Sequence, residues 1–336
     1  MIRLFLAAII AASFLLQAAN ALDDLSELKE EYERPTEIPY PDHNPYSEAK
    51  EDLGKTLYYD PRLSASGTQS CATCHNPSLS YGDGMALGTG HGHKKLGRKS
   101  PTTLNLAWDE LFMWDGRKSS LEDQATGPIE AAGEMNMSLE KLDKIIKSIK
   151  GYEAVFKKAF PKDANPVSVD NLAKAIATYE RGIVSSDAPF DKWIKGDESA
   201  ISKEAKRGFM LFNGKANCAS CHSEWNFSDG SFHDIGLPDN DIGRGKFMPN
   251  RKSMQHAFKT VGLRNIELRS PYMHNGSLKT LEEVIEHYNN GFVKRDSLSD
   301  QIKTLNLTDQ ETSDLVEFMK SLTSVDEGVV LPILPQ

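Results

Sequence analysis

Apolar residues recur along most of the chain at helical spacing, and almost nowhere alternate at the two-residue period of a half-buried strand. Leu139, Leu142, Ile145, Ile146 and Ile149 share one helix face behind Ser138 as a cap. Val169, Leu172, Ile176, Tyr179 and Ile183 form a second stripe. Helices are also predicted from Ser47 to Tyr58 and from Ser202 to Phe212. Thr280 with Glu283, and Thr308 with Glu311, read as capping boxes. The helices they open carry Leu281, Val284, Ile285 and Tyr288, and Leu315, Phe318, Met319 and Leu322, on their apolar faces. These stripes read as core, and the expected fold class is mainly α.

Three stretches interrupt the pattern. Leu22 to Tyr46 is polar and carries Pro35, Pro39, Pro41 and Pro45, so an extended arm with little helix is expected. Gly82, Gly84, Gly88, Gly90, Gly92 and Gly97 break regular structure over a long, conformationally free loop. Ser185 to Asp197 reads as a linker between two halves.

Each half contains the same short motif. Cys71-Ala72-Thr73-Cys74-His75 and Cys218-Ala219-Ser220-Cys221-His222 have the C-x-x-C-H spacing of covalent c-type haem attachment. A zinc or redox C-x-x-C pair would leave the histidine and the repetition unexplained, and would need further ligands at matching spacing. The motifs therefore predict two covalently bound haem c groups. Cys71, Cys74, Cys218 and Cys221 are the attachment points, and His75 and His222 the iron ligands. All four cysteines are used, so no disulfide is expected. Each motif follows a predicted helix, an order that resembles the front of a cytochrome c fold. The expectation is two tandem cytochrome c-like domains with long irregular loops, divided as 1–21, 22–195 and 196–336.

Composition adds location and excludes one partner class. The 336 residues carry a formal charge of −9. An acidic chain does not read as a nucleic-acid binder, and suits a basic redox partner. Arg3, the apolar run Leu4 to Leu16 and Ala19-Asn20-Ala21 read as a cleaved signal peptide over 1–21. No later segment is long and apolar enough to span a bilayer. Export with haem attachment points to a bacterial periplasm.

Several longer stretches resemble the bacterial di-haem cytochrome c peroxidase and MauG family. They are Leu53-Gly54-Lys55 to Asp60-Pro61-Arg62-Leu63-Ser64; Phe112-Met113-Trp114-Asp115-Gly116-Arg117 with Leu121-Glu122-Asp123-Gln124-Ala125 and Gly127-Pro128-Ile129; and Leu263-Arg264-Asn265 with Ser270-Pro271-Tyr272-Met273-His274-Asn275-Gly276. The resemblance implies that the His75 haem meets hydrogen peroxide and the His222 haem relays or stores oxidising equivalents. Trp114 matches the family's tryptophan between the haems. Gln124 and Glu134 match its peroxide pocket, where a carboxylate shuttles a proton and an amide orients the oxidant. Pro128 matches a residue near the open face.

The resemblance leaves the subtype open. At the second haem, Tyr288 matches the tyrosine oxygen ligand of MauG-type proteins, with Met273 as the competing donor. At the first, His91 lies sixteen residues after His75, like the removable histidine ligand of many peroxidases. His93 is a weaker version of the same idea. Family calcium is also left open, because Lys99 and Arg269 occupy positions of its usual oxygen donors. Three readings follow. One is a peroxidase fed by a small cytochrome c or cupredoxin. The second is a MauG-like oxidase that uses peroxide-derived high-valent iron to modify a partner protein. The third is a non-enzymatic di-haem electron carrier. The resemblance also allows a homodimer.

Overall fold

The computed structural model describes residues 25–336, so the signal segment expected over 1–21 lies outside the described residues. The helices are α1 Glu48–Tyr58, α2 Leu121–Glu130, α3 Leu139–Ser148, α4 Lys150–Ala159, α5 Val169–Arg181, α6 Pro189–Ile194, α7 Lys203–Asn213, α8 Leu281–Glu286 and α9 Asp309–Lys320. Sheet among the described residues is confined to two two-residue strands, β1 Phe232–His233 and β2 Phe258–Lys259, paired antiparallel. The mainly α expectation holds. No helix among the described residues is long and apolar enough to cross a membrane.

Two large hydrophobic cores form among the described residues, with a small third cluster at Phe112, Leu121 and Ala177. The first gathers Leu53 and Leu57 of α1, Leu142 and Ile146 of α3, Tyr152 and Phe156 of α4, and Leu172 and Ile176 of α5. The second gathers Phe209 and Phe212 of α7 with Leu315, Phe318 and Met319 of α9. Each is closed by the same device. A Cβ on Gly54 of α1 would lie 1.9 Å from the Ala175 carbonyl oxygen of α5. A Cβ on Gly208 of α7 would lie 2.0 Å from the Asp314 carbonyl oxygen of α9. Glycine alone permits backbones to cross this closely. Each crossing helix is followed by a C-x-x-C-H motif, the first as a helical turn over Cys71–Cys74 and the second as a 3-10 turn over Cys218–Ser220.

A second unit is also repeated. Phe112 pairs with Lys118, and Tyr272 with Leu278, across matching loops. Met113 and Met273 hold φ of 69° and 71° at the same loop position. Each loop runs through a serine or threonine N-cap, Ser120 or Thr280, into α2 or α8.

Several local expectations change. Ser185 to Asp197 is not a bare linker: it contains α6, started by Pro189 with Asp191 accepting from the Ala188 N–H. Phe190 and Trp193 carry too much apolar surface to stay outside, and both pack in the second core. Tyr32, in the arm expected to be extended, is fully buried there too, next to a helical segment over 25–30. The stripe ending at Ile149 forms α3 and its C-cap, and α4 starts directly after it with Ile149 as its N-cap. The Thr308–Glu311 box forms, whereas the Glu283 carboxylate accepts from Lys279 N–H, one residue before the cap. The glycine-rich loop is pinned: Gly90 crosses Gly133, and Gly276 packs against Ala86.

The two termini cross over. Tyr32 donates to Asn213 Oδ1 of α7 at 2.6 Å, and Arg34 donates to the Ser186 carbonyl at 3.1 Å. At the other end, Arg62 donates to the Pro335 carbonyl at 2.9 Å and the Gly151 N–H to the Gln336 carbonyl at 2.8 Å.

The glycine crossings yield a prediction. Gly→Ala in a free helix stabilises by about 1 kcal/mol. At Gly54 or Gly208 the added methyl meets backbone, and overpacking at such a contact costs about 1–3 kcal/mol. Gly54→Ala and Gly208→Ala are each expected to lower the thermal midpoint of the haem-loaded protein by several degrees, measured by calorimetry.

Candidate active site

Both motif histidines are oriented by the main chain. His75 Nδ1 lies 3.3 Å from the Tyr81 carbonyl, and His222 Nδ1 lies 2.8 Å from the Phe227 carbonyl. A carbonyl fixes Nδ1 as the protonated nitrogen and leaves Nε2 with a free lone pair. Burial lowers both imidazole pKa values, with the carbonyls partly opposing it. Neutral imidazole is the form that ligates a metal. No disulfide joins the four cysteines, and before any haem is attached burial pushes the Cys74 thiol up to about 11 and the Cys218 thiol up to about 12. Beside the second motif, a cavity with about 1380 Å³ of atom-free space, open mouth included, is lined by Cys218, Cys221, His222, Met273, Tyr288 and Trp114. Paired thiols, an imidazole with Nε2 free and a largely apolar cavity beside them fit a covalently held haem.

The first motif acquires its neighbours from a chain reversal. Pro128 inside α2 has no N–H, so the Gln124 carbonyl one turn earlier loses its helical partner. The chain then folds back: Met135 N–H donates to the Pro128 carbonyl at 3.1 Å and Met137 N–H to Ile129 at 2.7 Å. Glu134 rides on this return strand. The glycine-rich loop crosses it, and the His91 N–H reaches the Gly133 and Glu134 carbonyls at 3.1 and 2.7 Å. His91 and Glu134 are thus brought together, and His91 Nδ1 is buried without a partner. His93, two residues on, is exposed. The Ala65 N–H donates to the carbonyl of Met135, the residue after Glu134, at 2.9 Å, which ties this return segment to the chain leading into the first motif. Burial raises the Glu134 pKa, opposed by Arg117. Gln124 is partly exposed on α2.

Trp114 stands at a cleft lined from both halves. It lines the second cavity and an adjoining cleft with Lys99, Arg269, Pro271 and Met273. Its Nε1–H donates to the Lys99 carbonyl at 2.8 Å, and its own carbonyl accepts from Lys259 N–H of β2 at 2.8 Å. His274 stands edge-on to it, 6.3 Å between centroids, and stacks on Phe258 at 3.5 Å and 11°. His274 Nε2 is 3.0 Å from Asp239 but off the line of a hydrogen bond, and burial lowers this imidazole to about 4. Sequence reading assigned His274 no part. The signal was present: His274 occupies in the second loop the position that Trp114 occupies in the first.

Tyr288 sits in a π-helical turn, His287–Gly291, directly after α8. Such turns frequently mark functional sites. The His287 Nε2 to Ile235 carbonyl contact, 2.9 Å, fixes the turn. Burial drives the Tyr288 phenol pKa upward, and Tyr288 shares its cavity lining with Cys218, Cys221 and His222. Met273 lines the same cavity. At the expected calcium positions stand two cations. Lys99 Nζ is 3.3 Å from the Met85 carbonyl and 4.0 Å from Asp83. Arg269 donates to the Gly262 carbonyl at 2.5 Å, and its Nε is buried without a partner. Burial lowers Lys99, and lowers Arg269 to about 10.

Comparison with known proteins resolves the family. A family model described as di-haem cytochrome c peroxidase matches residues 48–199, and one described as cytochrome c matches residues 205–323. The methylamine utilization protein MauG of Methylorubrum extorquens is 49% identical over 314 residues, covering 93% of this chain and 89% of that protein. The chain belongs to the di-haem cytochrome c peroxidase/MauG family. Cytochrome c551 peroxidase of Pseudomonas aeruginosa is 34% identical, covering 87% of this chain and 83% of that protein. The crystal structure of a MauG-like protein associated with microbial copper homeostasis superimposes with a TM-score of 0.80 at 31% identity, covering 87% of this chain and 95% of that one. Membership carries two covalently bound c-type haems and a peroxide-dependent oxidoreductase class. Relatives bear both names, MauG and peroxidase.

Two predictions follow from this geometry. Glu134→Gln should retain both haems yet slow the reaction with hydrogen peroxide by about 10²–10⁴-fold, the usual worth of a positioned acid–base group. Because burial raises the carboxyl pKa, the wild-type rate should fall on acidification from a higher pH than an ordinary carboxylate would give, and the variant rate should be flat there. Stopped-flow absorbance measures both, and unchanged kinetics would exclude Glu134. With Lys99 and Arg269 in place, chelation followed by metal analysis should find no stoichiometric calcium and undiminished peroxide reactivity.

Proposed function

We propose that this is an exported, periplasmic MauG-like oxidase that takes oxidising equivalents from hydrogen peroxide and uses them on a partner protein. The observation that carries the reading is Tyr288, which lines the second cavity together with Cys218, Cys221 and His222. We assign Cys71, Cys74, Cys218 and Cys221 to haem attachment, His75 and His222 to the proximal positions, and Tyr288 rather than Met273 to the second ligand of the His222 haem.

The haem at His75 supplies the centre at which the peroxide O–O bond is reduced. Glu134 takes the proton from the near oxygen and returns it to the departing one, and Gln124 orients the oxidant. Pro128 offers no donor atom toward this face, leaving it open. Trp114 passes electrons between the two halves, its indole held by the Lys99 carbonyl. Tyr288 closes the second site with a hard anionic donor, which favours oxidised states over electron acceptance at high potential. A phenol so buried would ionise only against a bound cation, the charge that a haem iron would supply there.

A second reading, a peroxidase fed by a small cytochrome or cupredoxin, is favoured by His91. Its buried, unpartnered Nδ1 beside Glu134 suits a removable cap on the first site. The readings separate in one assay. The MauG-like reading expects rapid peroxide reaction with slow turnover of reduced cytochrome c. It also expects Tyr288→Met to raise the potential of the second haem, read by spectroelectrochemistry. Fast wild-type turnover of reduced cytochrome c, with a Tyr288→Met potential identical to wild type, would establish the peroxidase instead.

A further inference from the structure

Four tyrosines cluster against the first motif, apart from the Trp114 bridge. Tyr58 and Tyr59 end α1, Tyr179 lies on α5, and Tyr81 follows the motif. Ring centroids are 5.5 Å apart for Tyr58 and Tyr59, 5.2 Å for Tyr58 and Tyr179, and 6.4 Å for Tyr59 and Tyr179. Tyr59 and Tyr81 both pack against the core that holds Tyr58 and Tyr179. Two members touch His75: the Tyr58 hydroxyl is 3.4 Å from its carbonyl, and the Tyr81 carbonyl accepts from its imidazole Nδ1 at 3.3 Å. Tyr58 is fully buried, whereas Tyr59 and Tyr81 reach the surface in part.

Packing alone does not account for this composition. The Tyr59 hydroxyl is buried with no partner of good hydrogen-bond geometry. Burying an unsatisfied hydroxyl is unfavourable, and phenylalanine would fill the same volume without that cost. What phenol has and phenylalanine lacks is one-electron chemistry at accessible potential.

We propose that Tyr58, Tyr81, Tyr179 and Tyr59 form a second redox route, carrying oxidising equivalents from the His75 site to the protein surface. The proposal rests on the reading that peroxide reacts at the His75 site. When no protein partner is engaged, two phenol O–H bonds break. Their two electrons reduce the O–O bond of one peroxide. Their two protons pass to solvent, and two protons from solvent complete two waters. Two neutral phenoxyls remain, and a small one-electron donor of the phenol or ascorbate class restores each phenol with a proton from solvent. The cluster would thus discharge peroxide-oxidised protein harmlessly and give small reductants a point of entry.

The test is freeze-quench EPR of the haem-loaded protein after one equivalent of hydrogen peroxide, with peroxide consumption followed in parallel. The expected result is an organic radical whose hyperfine structure narrows when the protein is made with ring-deuterated tyrosine. Its intensity should fall to background in Tyr179→Phe and Tyr59→Phe, with haem content confirming the fold, and stay unchanged in the exposed control Tyr46→Phe. Peroxide consumption with no radical, or with a radical indifferent to deuteration or surviving in both variants, overturns the proposal and leaves the peroxide reading standing. Absence of peroxide consumption overturns both. The deuterated wild type reports even where a variant fails to fold.

Discussion

The molecule depends on a modest contact made twice: an imidazole Nδ1 held by a main-chain carbonyl a few residues downstream. An imidazole tied in this way has one lone pair left to give, in a direction set by the backbone. The turns that carry the Tyr81 and Phe227 carbonyls therefore fix where a macrocycle sits. The helix crossings at Gly54 and Gly208 in turn fix where each motif begins. Shifting either crossing would move the imidazole, and with it the distance to Trp114.

Much of this was legible in the sequence, because it is local. C-x-x-C-H spacing, caps at Ser138 and Thr308, and apolar stripes at helical period all act within a few residues, and the caps and the helices they open appear as expected. What was illegible is non-local. Nothing in Ser185 to Asp197 announces that Phe190 and Trp193 fill the core of the following half, since a short polar-flanked segment gains its helix from packing rather than propensity. The placement of His91 beside Glu134 depends on two glycines meeting at Gly90 and Gly133, far apart in sequence. His274 was visible only by aligning one half with the other.

That internal alignment also explains how one frame carries two unlike sites. The loop–cap–helix unit is the same in both halves, so its variable positions can be compared directly. Trp114 corresponds to His274, an oxidisable indole to an imidazole that burial keeps neutral. Pro128, eight residues after its cap Ser120, corresponds to Tyr288, eight after Thr280. A ring with no donor atom stands where the other half presents a phenol. In our reading, the difference between a site that accepts a small oxidant and one that is closed resides in that single position.

The crossed termini bear on electron transfer between the halves. Transfer rates fall steeply with separation, so a hinge opening by a few ångströms would throttle any exchange across Trp114. Here the N-terminal arm is anchored at Asn213 and the C-terminal tail at Arg62 and Gly151, so each half holds a strand of the other. Opening the molecule would break both anchors at once. On the proposed reading, the tails would act as a spacer gauge that keeps the electronic coupling between the halves steady.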